Sequence, residues 1–298
     1  MNNVKISVII PTCHRNDLLA LCLDCLAPGV QTLAPERYEV IVTDDGSRST
    51  AQQMMAQSYP WAQWTEGPRR GPAANRNHGA TIAQGEWLAF TDDDCLPKPG
   101  WLEAFQAAIQ PDVSVYEGKT TCEAGLPSPL YEAPYNLTGG NLWSCNFMIR
   151  AALFARLEGF DETFATPAME DIDFRERLYD IQTKVVFIKG AVIDHPARLK
   201  PSGRQLGKKY ETFVQFWCKR GHRGSLFLQF LRHTKNRIAV DKVFSVRNLG
   251  EAWLISYSLL TEFCYIAARL SIWKKRYEGF YTPKKMPHMC NKCQEDSK

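Results

Sequence analysis

Two groups of aspartates follow segments of strongly apolar sequence, and their residue type suits them to binding a metal ion. The groups are Asp44 and Asp45 after segment 38–43, and Asp92, Asp93 and Asp94 after segment 86–91. Carboxylates brought together in this number repel one another and raise each other's pKa unless a cation neutralises them. Mg²⁺ and Mn²⁺ prefer oxygen ligands and often bind one or two carboxylates together with substrate phosphates. The two groups therefore predict a site for a metal-bridged diphosphate.

Aspartates at strand ends also have a purely structural use, because they form turns and cap helices. This alternative stays open for Asp44 and Asp45, whereas three consecutive aspartates after so apolar a segment favour a functional role. Neither the GxGxxG pattern of dinucleotide-binding folds nor the GxxxxGK[ST] pattern of P-loops follows these segments. Carboxylates with their cation, rather than a glycine-rich cradle, are therefore expected to hold a phosphorylated substrate.

A third acidic cluster opens the helical pattern that extends to Tyr179. It consists of Glu170, Asp171 and Asp173. Acidic residues in a first helical turn are favoured by the helix macrodipole whatever their function. The cluster alone is thus compatible both with a simple helix start and with general acid–base chemistry.

The chain alternates strand-like and helix-like segments, and this alternation must position the acidic residues. The predicted strands are 4–11, 38–43, 61–65, 86–91, 143–150 and 184–188. The predicted helices are 17–26, a segment from about 49, 72–83 and 170–179. The order predicts an α/β fold with a mostly parallel sheet covered by helices. Ligands of such sheets bind outside the carboxyl ends of the strands, where the two aspartate groups lie.

Six motifs occur in the order found in one enzyme family. They are ISVIIPTCHR, VTDDGS, GPAANRNHGA, GEWLAFTDDDC, FMIR followed by GFDE, and MEDIDFRERL. Over about residues 4–195 the chain therefore resembles a family-2 glycosyltransferase with the GT-A fold, a Rossmann-like arrangement. The resemblance implies a catalytic domain at 1–197 that binds a nucleoside diphosphate sugar. It also implies a glycan or a lipid-linked glycan as the acceptor.

The resemblance assigns the nucleotide-sugar site to residues near the first three strand ends. Those expected to contact the base and ribose are Pro11, Thr12, Arg15 and Asp45, with Asp44 beside them. Arg76 follows Gly71-Pro72 at the start of a helix and belongs to the RN pair of the family. It is expected either to contact the donor through a charge-assisted bond or to tie the helix to the sheet.

The acidic triplet resembles the DxD motif of the family, which binds Mn²⁺ or Mg²⁺. Asp94 is expected to ligate the metal, and Asp92 and Asp93 to hold ribose or water. Cys95 stands where many members have another aspartate, so the pairs Asp92/Asp94 and Asp93/Asp94 are both compatible with the motif. His195 resembles a histidine that many GT-A enzymes use as a further metal or diphosphate ligand.

The third acidic cluster resembles the motif that supplies the general base in inverting members of the family. In a single displacement the acceptor hydroxyl attacks from the face opposite the leaving diphosphate, which requires a base across the sugar from the metal. Asp171 is expected to be this base, and Glu170 to orient the acceptor or donor. Asp173, one turn after Glu170, is interpreted as a structural or sugar-contacting carboxylate.

The last third of the chain differs in charge from the rest. Residues 198–298 contain 21 Lys and Arg against 7 Asp and Glu, a net +14, while residues 1–197 carry −10. We expect 198–298 to be a helical region that contacts the acceptor or a membrane surface, with a flexible tail at 279–298. Nucleic acid is not an expected partner, because no nucleic-acid-binding motif accompanies the charge.

Segment 252–273 is predicted to be the most apolar helix. It is a poor membrane span because Glu262 falls in its middle and Arg269 near its end. Together with Glu251 and Ser258 these residues form a narrow polar stripe. Two interpretations stay open: the helix is buried against the body, or it lies on anionic headgroups at a membrane interface with Lys274, Lys275 and Arg276 beside it.

The N-terminus does not resemble a signal peptide, which predicts a cytoplasmic protein, at most at the inner face of the membrane. Two CxxC pairs, Cys22/Cys25 and Cys290/Cys293, could form a four-thiolate zinc site. However, Cys22 and Cys25 share a helix face with Leu19 and Leu26, and this spacing favours burial in the core.

The expected function is thus a metal-dependent, inverting glycosyltransferase. A sugar nucleotidyltransferase is one alternative, although such enzymes have a GxGTRxxP-like loop where this chain has PTCHRN. A non-catalytic nucleotide- or carbohydrate-binding module is another, although it would be expected to lose carboxylates such as Asp94 and Asp171.

Overall fold

The computed structural model describes residues 5–164, 166, 168–222, 224–238 and 246–278. The tail at 279–298, with Cys290 and Cys293, lies outside these residues. The chain divides into two compact units. The first contains residues 1–127, 131–175 and 183–199, and the second contains residues 128–130, 176–182 and 200–298.

An eight-stranded sheet forms the centre of the first unit and confirms the predicted α/β class. Its strands are β1 (Ile6–Thr12), β2 (Tyr38–Asp44), β3 (Gln63–Glu66), β4 (Trp87–Phe90), β5 (Leu96–Pro97), β6 (Val115–Thr121), β8 (Phe147–Arg150) and β9 (Val185–Asp194). Across the sheet their order is β3-β2-β1-β4-β8-β6-β9-β5. The run β3-β2-β1-β4 and the pair β6-β9 are parallel. A separate antiparallel pair joins β7 (Tyr131–Glu132) to β10 (Arg198–Leu199).

The register of the parallel strands brings the predicted acidic groups to one edge. All seven residues of β1 are buried, as its continuous apolar run predicts. Thr12 at the end of β1 is level with Asp44 at the end of β2. Ile9 is level with Phe90, so the residues after β4 emerge beside the end of β1. The carboxyl ends of the three strands therefore meet.

Helices cover the sheet of the first unit. They are α1 (Asn16–Leu26), α2 (Gln52–Ser58), α3 (Pro72–Ile82), α4 (Trp101–Ala107) and α5 (Ala151–Arg156), and α6 (Glu170–Asp180) begins in this unit. The inner face of α1 buries Leu19, Cys22 and Leu26, which confirms that Cys22 is a core residue. Cys25 is half-buried on the same helix.

Three predicted elements differ in extent from those observed. The helix expected from about Ser49 begins at Gln52, because the Asp44 carboxylate accepts the Ala51 N–H and keeps the preceding residues in a loop. The strand predicted from 143 begins at Phe147. The strand predicted at 184–188 continues to Asp194, since a register shift after Gly118 lets β9 stay paired with β6.

The described part of the second unit contains the end of α6 and four further helices. They are α7 (Gly203–Lys219), α8 (Leu226–Arg237), α9 (Leu249–Ala267) and α10 (Leu270–Tyr277). A capping box between Ser202 and Gln205 starts α7, because each side chain accepts a backbone N–H of the other. Buried side chains from all four helices form the core of the unit: Tyr210, Val214, Leu226, Ile266 and Trp273.

The prediction of one helix at 252–273 is wrong in its extent. The segment forms most of α9 and the start of α10, which meet at Ala268 and Arg269. The break turns the chain, so that Trp273 becomes buried with its ring 6.2 Å from that of Tyr265. The Arg269 guanidinium lies over the Tyr265 ring, 3.8 Å from its centroid. Packing of Trp273 in the core therefore explains the break.

Glu262 of the polar stripe faces inward, and much of the apolar surface of α9 faces outward. Glu262 is 1% exposed and accepts bonds from His233 and Arg237. Trp253 and Tyr257, in contrast, are 64% and 56% exposed. Within the described ranges, no helix combines the length and apolar character needed to cross a membrane.

Candidate active site

The end of β2 holds two aspartates with different surroundings. Asp44 is buried, and its carboxylate accepts the N–H groups of Gly46 at 2.8 Å and Ala51 at 2.6 Å, and the Trp64 indole N–H at 3.2 Å. With both oxygens engaged, Asp44 fixes the loop that follows β2. Its geometry corresponds to the structural alternative that the sequence left open.

Asp45 faces a more open environment beside this loop. Its Oδ1 accepts the Arg69 N–H at 2.8 Å. Partial burial raises the pKa of its carboxyl group, and the Arg69 and Gly71 N–H groups oppose this shift. Gly67 lies against it, since a Cβ at that position would stand 2.2 Å from Asp45 Oδ1 and 2.4 Å from Asn75 Oδ1. A side chain at position 67 would therefore displace Asp45.

The acidic triplet lies in a turn after β4, and its central member points inward. Asp93 is fully buried, and its Oδ2 accepts the Thr12 hydroxyl at 2.7 Å and the Arg15 Nε–H at 3.1 Å. Burial raises the pKa of Asp93 to about 7, although Arg15 opposes the shift. The side chains of Asp92 and Asp94 retain 22% and 12% exposure. Asp92 and Asp94, rather than Asp93, therefore have side chains that a ligand can reach.

Asp94 and His195 come together although they are 101 positions apart in the sequence. His195 Nε2 lies 3.4 Å from Asp94 Oδ1. This oxygen is buried and has no hydrogen-bond partner among the described residues, while Oδ2 lies 2.9 Å from an Arg15 guanidinium nitrogen. His195 Nδ1 lies 3.1 Å from the Pro196 carbonyl. A proton assigned to Nδ1 on this contact leaves the Nε2 lone pair facing Asp94.

These two side chains fit a divalent cation. An unpartnered buried carboxylate oxygen beside an imidazole nitrogen is a donor set that Mn²⁺ and Mg²⁺ accept. The Cys95 thiol also lies within 4.8 Å of both donor atoms. Burial raises the thiol pKa of Cys95 well above its ordinary value, which keeps it protonated and poorly suited to a hard cation.

Arg76 joins the triplet to the third acidic cluster. Its side chain is 5% exposed and extends from α3, with one terminal nitrogen 2.6 Å from Asp92 Oδ1 and the other 3.3 Å from Glu170 Oε1. Burial alone would raise the pKa of Asp92, but the adjacent guanidinium holds it below its usual value. Arg76 thus lies between two carboxylates that the sequence separates by 78 positions.

The start of α6 carries two carboxylates in different electrostatic states. Glu170 is buried, pairs with Arg76, and accepts the Ala168 N–H at 2.9 Å. Asp171 is half-buried, and its Oδ1 accepts the Ile172 N–H at 2.8 Å. Burial and the neighbouring Glu170 charge raise the pKa of Asp171 to about 7. Asp173 is fully buried. Asp171 is therefore the member poised to exchange a proton near neutral pH.

Glu117 is a buried carboxylate that sequence reasoning missed. It lies on β6, is 1% exposed, and accepts the N–H groups of Gly140 at 2.7 Å and Asn141 at 2.9 Å. It also accepts the Asn136 side-chain amide at 2.8 Å. These bonds order the loop before β8. An acidic residue inside the otherwise strand-like segment 115–121 was the available signal.

Comparisons of sequence point to one class of enzyme. The family model "Glycosyl transferase family 2" matches residues 7–133. Glycosyltransferase AglE of Haloferax volcanii is 27% identical over 228 residues, covering 71% of this chain and 74% of AglE. Validoxylamine A glucosyltransferase of Streptomyces hygroscopicus subsp. limoneus is 28% identical over 217 residues, covering 58% of this chain and 48% of that enzyme. Both relatives are sugar transferases, which weighs against a nucleotidyltransferase or a non-catalytic module.

Solved structures agree on the fold. The mannosyltransferase PcManGT from Pyrobaculum calidifontis, in complex with GDP-Man and Mn²⁺, has a TM-score of 0.57 and 18% identity, covering 91% of this chain and 87% of that one. TarS residues 1–349 of S. aureus, in complex with UDP-GlcNAc, has a TM-score of 0.56 and 16% identity, covering 94% and 93%. At these identities the likeness establishes the common GT-A architecture.

Proposed function

We propose, because this chain belongs to glycosyltransferase family 2 and has the GT-A fold, that it transfers the sugar of a nucleoside diphosphate sugar with inversion at the anomeric carbon. The observation that carries the proposal is the bridge from Asp92 through Arg76 to Glu170. It brings the acidic residues at the strand ends beside the start of α6. An inverting displacement needs this pairing of a leaving-group side with a basic side.

The nucleotide-sugar site is proposed to lie at the ends of β1 and β2. Pro11 and Thr12 form its floor, and Asp45 and Arg15 have side chains that a nucleotide can reach. Asp44 contributes by holding the loop, since its oxygens are already engaged. Arg76 and Asp92 are proposed to stand beside the donor, with Asp93 anchoring the turn through Thr12.

Asp94 and His195 are the residues proposed to hold Mn²⁺ or Mg²⁺. When bound there, a divalent cation would stabilise negative charge on the departing diphosphate. Arg15 contacts the other Asp94 oxygen and thereby orients the carboxylate. The donor set of one carboxylate oxygen and one imidazole nitrogen supports this assignment.

Asp171 is proposed as the general base. Its carboxylate would take the proton of the acceptor hydroxyl as that oxygen bonds to the anomeric carbon and the bond to the diphosphate breaks. Glu170, fixed by Arg76, raises the pKa of Asp171 and so makes it a stronger base near neutral pH. The acceptor is proposed to be a hydroxyl of a glycan or a lipid-linked glycan.

Replacing Asp94 with asparagine is expected to weaken Mn²⁺ binding by at least about 100-fold, because the unpartnered carboxylate oxygen is lost. The test is an electron paramagnetic resonance titration of free Mn²⁺ in the presence of UDP. Asp112→Asn serves as the control, since Asp112 is exposed and lies 3.8 Å from Lys184. Equal Mn²⁺ affinity in D94N and wild type would reject the metal assignment.

The outward surface of α9 supports a contact with an anionic membrane surface. Its exposed apolar side chains are Leu249, Trp253, Leu254, Tyr257 and Leu260. The rings of Trp253 and Tyr257 stack with centroids 5.4 Å apart, and Lys274 and Lys275 on α10 are exposed. Exposed aromatic side chains and exposed lysines are both suited to an interface of anionic lipid. The cytoplasmic location expected from the N-terminal sequence stays a prediction.

We expect the protein to float with phosphatidylcholine vesicles that contain phosphatidylglycerol, and to float less at high salt, because the electrostatic part is screened. The double change Trp253→Ser and Tyr257→Ser is expected to reduce the floating fraction by about tenfold, because it removes two exposed rings that would enter the membrane interface. Leu21→Ser, at an exposed leucine on α1, is the control. Absence of salt-sensitive flotation would exclude the membrane contact.

A further inference from the structure

A cavity of about 480 Å³ lies within the second unit, among α7, α8 and α9. Its volume falls within the range of small-molecule sites. The lining residues that give the cavity its charge and its aromatic side are Lys209, Tyr210, Phe213, Arg232, Arg237 and Glu262. None of them belongs to the proposed transferase site, so the cavity needs an explanation of its own.

The charge around the cavity is positive. Lys209, Arg232 and Arg237 oppose a single carboxylate, Glu262, which gives +2 when His233 is neutral. Glu262 is already satisfied, because His233 Nε2 lies 2.8 Å and an Arg237 nitrogen 3.1 Å from its oxygens. Among the residues that the structure describes, no carboxylate pairs with Arg232. Among the residues that line the cavity, cationic groups therefore outnumber anionic ones.

One side of the cavity is aromatic. The Tyr210 ring lies 5.1 Å from that of Phe213 and 4.9 Å from that of His233, measured between centroids. The Tyr210 hydroxyl is buried and has no hydrogen-bond partner within the described ranges. Leu206 adds an aliphatic contact one helical turn away. The lining thus combines cationic side chains with an apolar, aromatic surface.

We propose that this cavity binds a phosphate monoester whose organic group is aromatic or aliphatic. A phosphate monoester carries between −1.5 and −2 charges near pH 7, roughly the excess positive charge of the lining. Arginine and lysine together suit its oxygens, the former through its planar fork. The organic group would pack on Tyr210 and Phe213. Such a ligand could be a lipid headgroup or a soluble phosphate ester, which share this chemistry.

The test is isothermal titration calorimetry on the full chain without added metal, with phenyl phosphate as the probe. Lys209→Gln and Arg232→Gln are each expected to weaken binding by about tenfold, because each removes a charged contact to the phosphate. Lys208→Gln and Lys235→Gln are matched controls on α7 and α8 that remove the same charge outside the cavity. Equal affinity in all four variants, or no binding to wild type, would overturn the proposal.

Two further measurements test whether the ligand occupies the cavity and whether it is a lipid or a soluble ester. Gln229→Trp leaves the charge unchanged but fills the cavity, so it is expected to abolish binding while the thermal midpoint and UDP binding are kept. Binding that survives this change would overturn the proposal. Dihexanoyl phosphatidic acid that binds more tightly than phenyl phosphate would support the lipid source, and the reverse order would support a soluble ester.

Discussion

Replacing Asp171 with asparagine is expected to lower kcat by about 10²- to 10⁴-fold while leaving UDP affinity unchanged. The reason is that asparagine keeps the shape of the side chain but cannot take the proton of the attacking hydroxyl. Hydrolysis of UDP-GlcNAc and of GDP-mannose, with water as acceptor, provides the rate, and calorimetry with UDP provides the affinity. Asp112→Asn should retain the wild-type rate. Unchanged turnover in D171N would reject the base assignment.

The pH dependence gives a second readout of the same residue. A base acts in its deprotonated form, and burial with the Glu170 charge raises the pKa of Asp171 to about 7. We therefore expect kcat/KM of the wild type to rise with pH up to about 7 and to level off above it. The residual rate of D171N should lack this rise, whereas a merely structural role would leave the profile unchanged.

Asp171→Asn is also expected to stabilise the protein at pH 8. A carboxyl group whose pKa is higher in the folded than in the unfolded protein lowers the free energy of unfolding when it is ionised. For Asp171 this destabilisation is absent below about pH 4 and complete above about pH 7. Removing the charge should raise the free energy of unfolding by about 2 kcal/mol at pH 8 and change little at pH 4. Urea unfolding at the two pH values measures the difference. Such a gain is typical of an active-site group held in a costly state.

Replacing Arg76 with glutamine is expected to cost about 3 to 5 kcal/mol of unfolding free energy at neutral pH. The side chain is 5% exposed and compensates Asp92 and Glu170, and removal of one partner leaves buried carboxylates without their counter-charge. Urea unfolding of R76Q against wild type measures the loss. Arg70→Gln is the control, because Arg70 pairs with Glu162 while 65% exposed and is expected to change stability by less than about 1 kcal/mol.

The deficit of R76Q should shrink as the pH falls. Arg76 holds the pKa of Asp92 below its ordinary value, so its stabilisation is present above about pH 4 and is lost as pH falls through the lowered pKa. Without the arginine, Asp92 is protonated more readily and its burial costs less in acid. Equal losses in R76Q and R70Q, or a deficit independent of pH, would contradict the bridging role.

The sheet could be predicted because its central strands have a characteristic local pattern in the sequence. Each of β1, β2 and β4 is a short continuous apolar run, and burial on both faces requires such a run. The ends of parallel neighbours coincide, so the acidic residues after them were expected at one edge. The motif order also identified the family. Cys22 followed the same logic, since its spacing along α1 placed it in the core.

The orientation of α9 could not be predicted from the sequence. The pattern shows that the helix has a polar and an apolar face, but it does not show which of the two the protein buries. A narrow polar stripe ordinarily faces water, but here Glu262 is buried by bonds from His233 and Arg237 on another helix. That compensation turns the aromatic side outward. The break at Ala268 and Arg269 likewise depends on the packing of Trp273 and leaves no glycine or proline signal.

By itself the sequence determined the fold class, the resemblance to glycosyltransferase family 2 and the acidic residues to which the proposed chemistry is assigned. Only the tertiary structure decided their separate states: Asp44 holds a loop, Asp93 is buried as an anchor, and Asp94 faces His195. Residue type fixes what a carboxylate can do, whereas its pKa and reach depend on burial and on partners far away in the chain. Arg76, lying between Asp92 and Glu170, is such a partner, and no local pattern in the sequence shows which two carboxylates it pairs with.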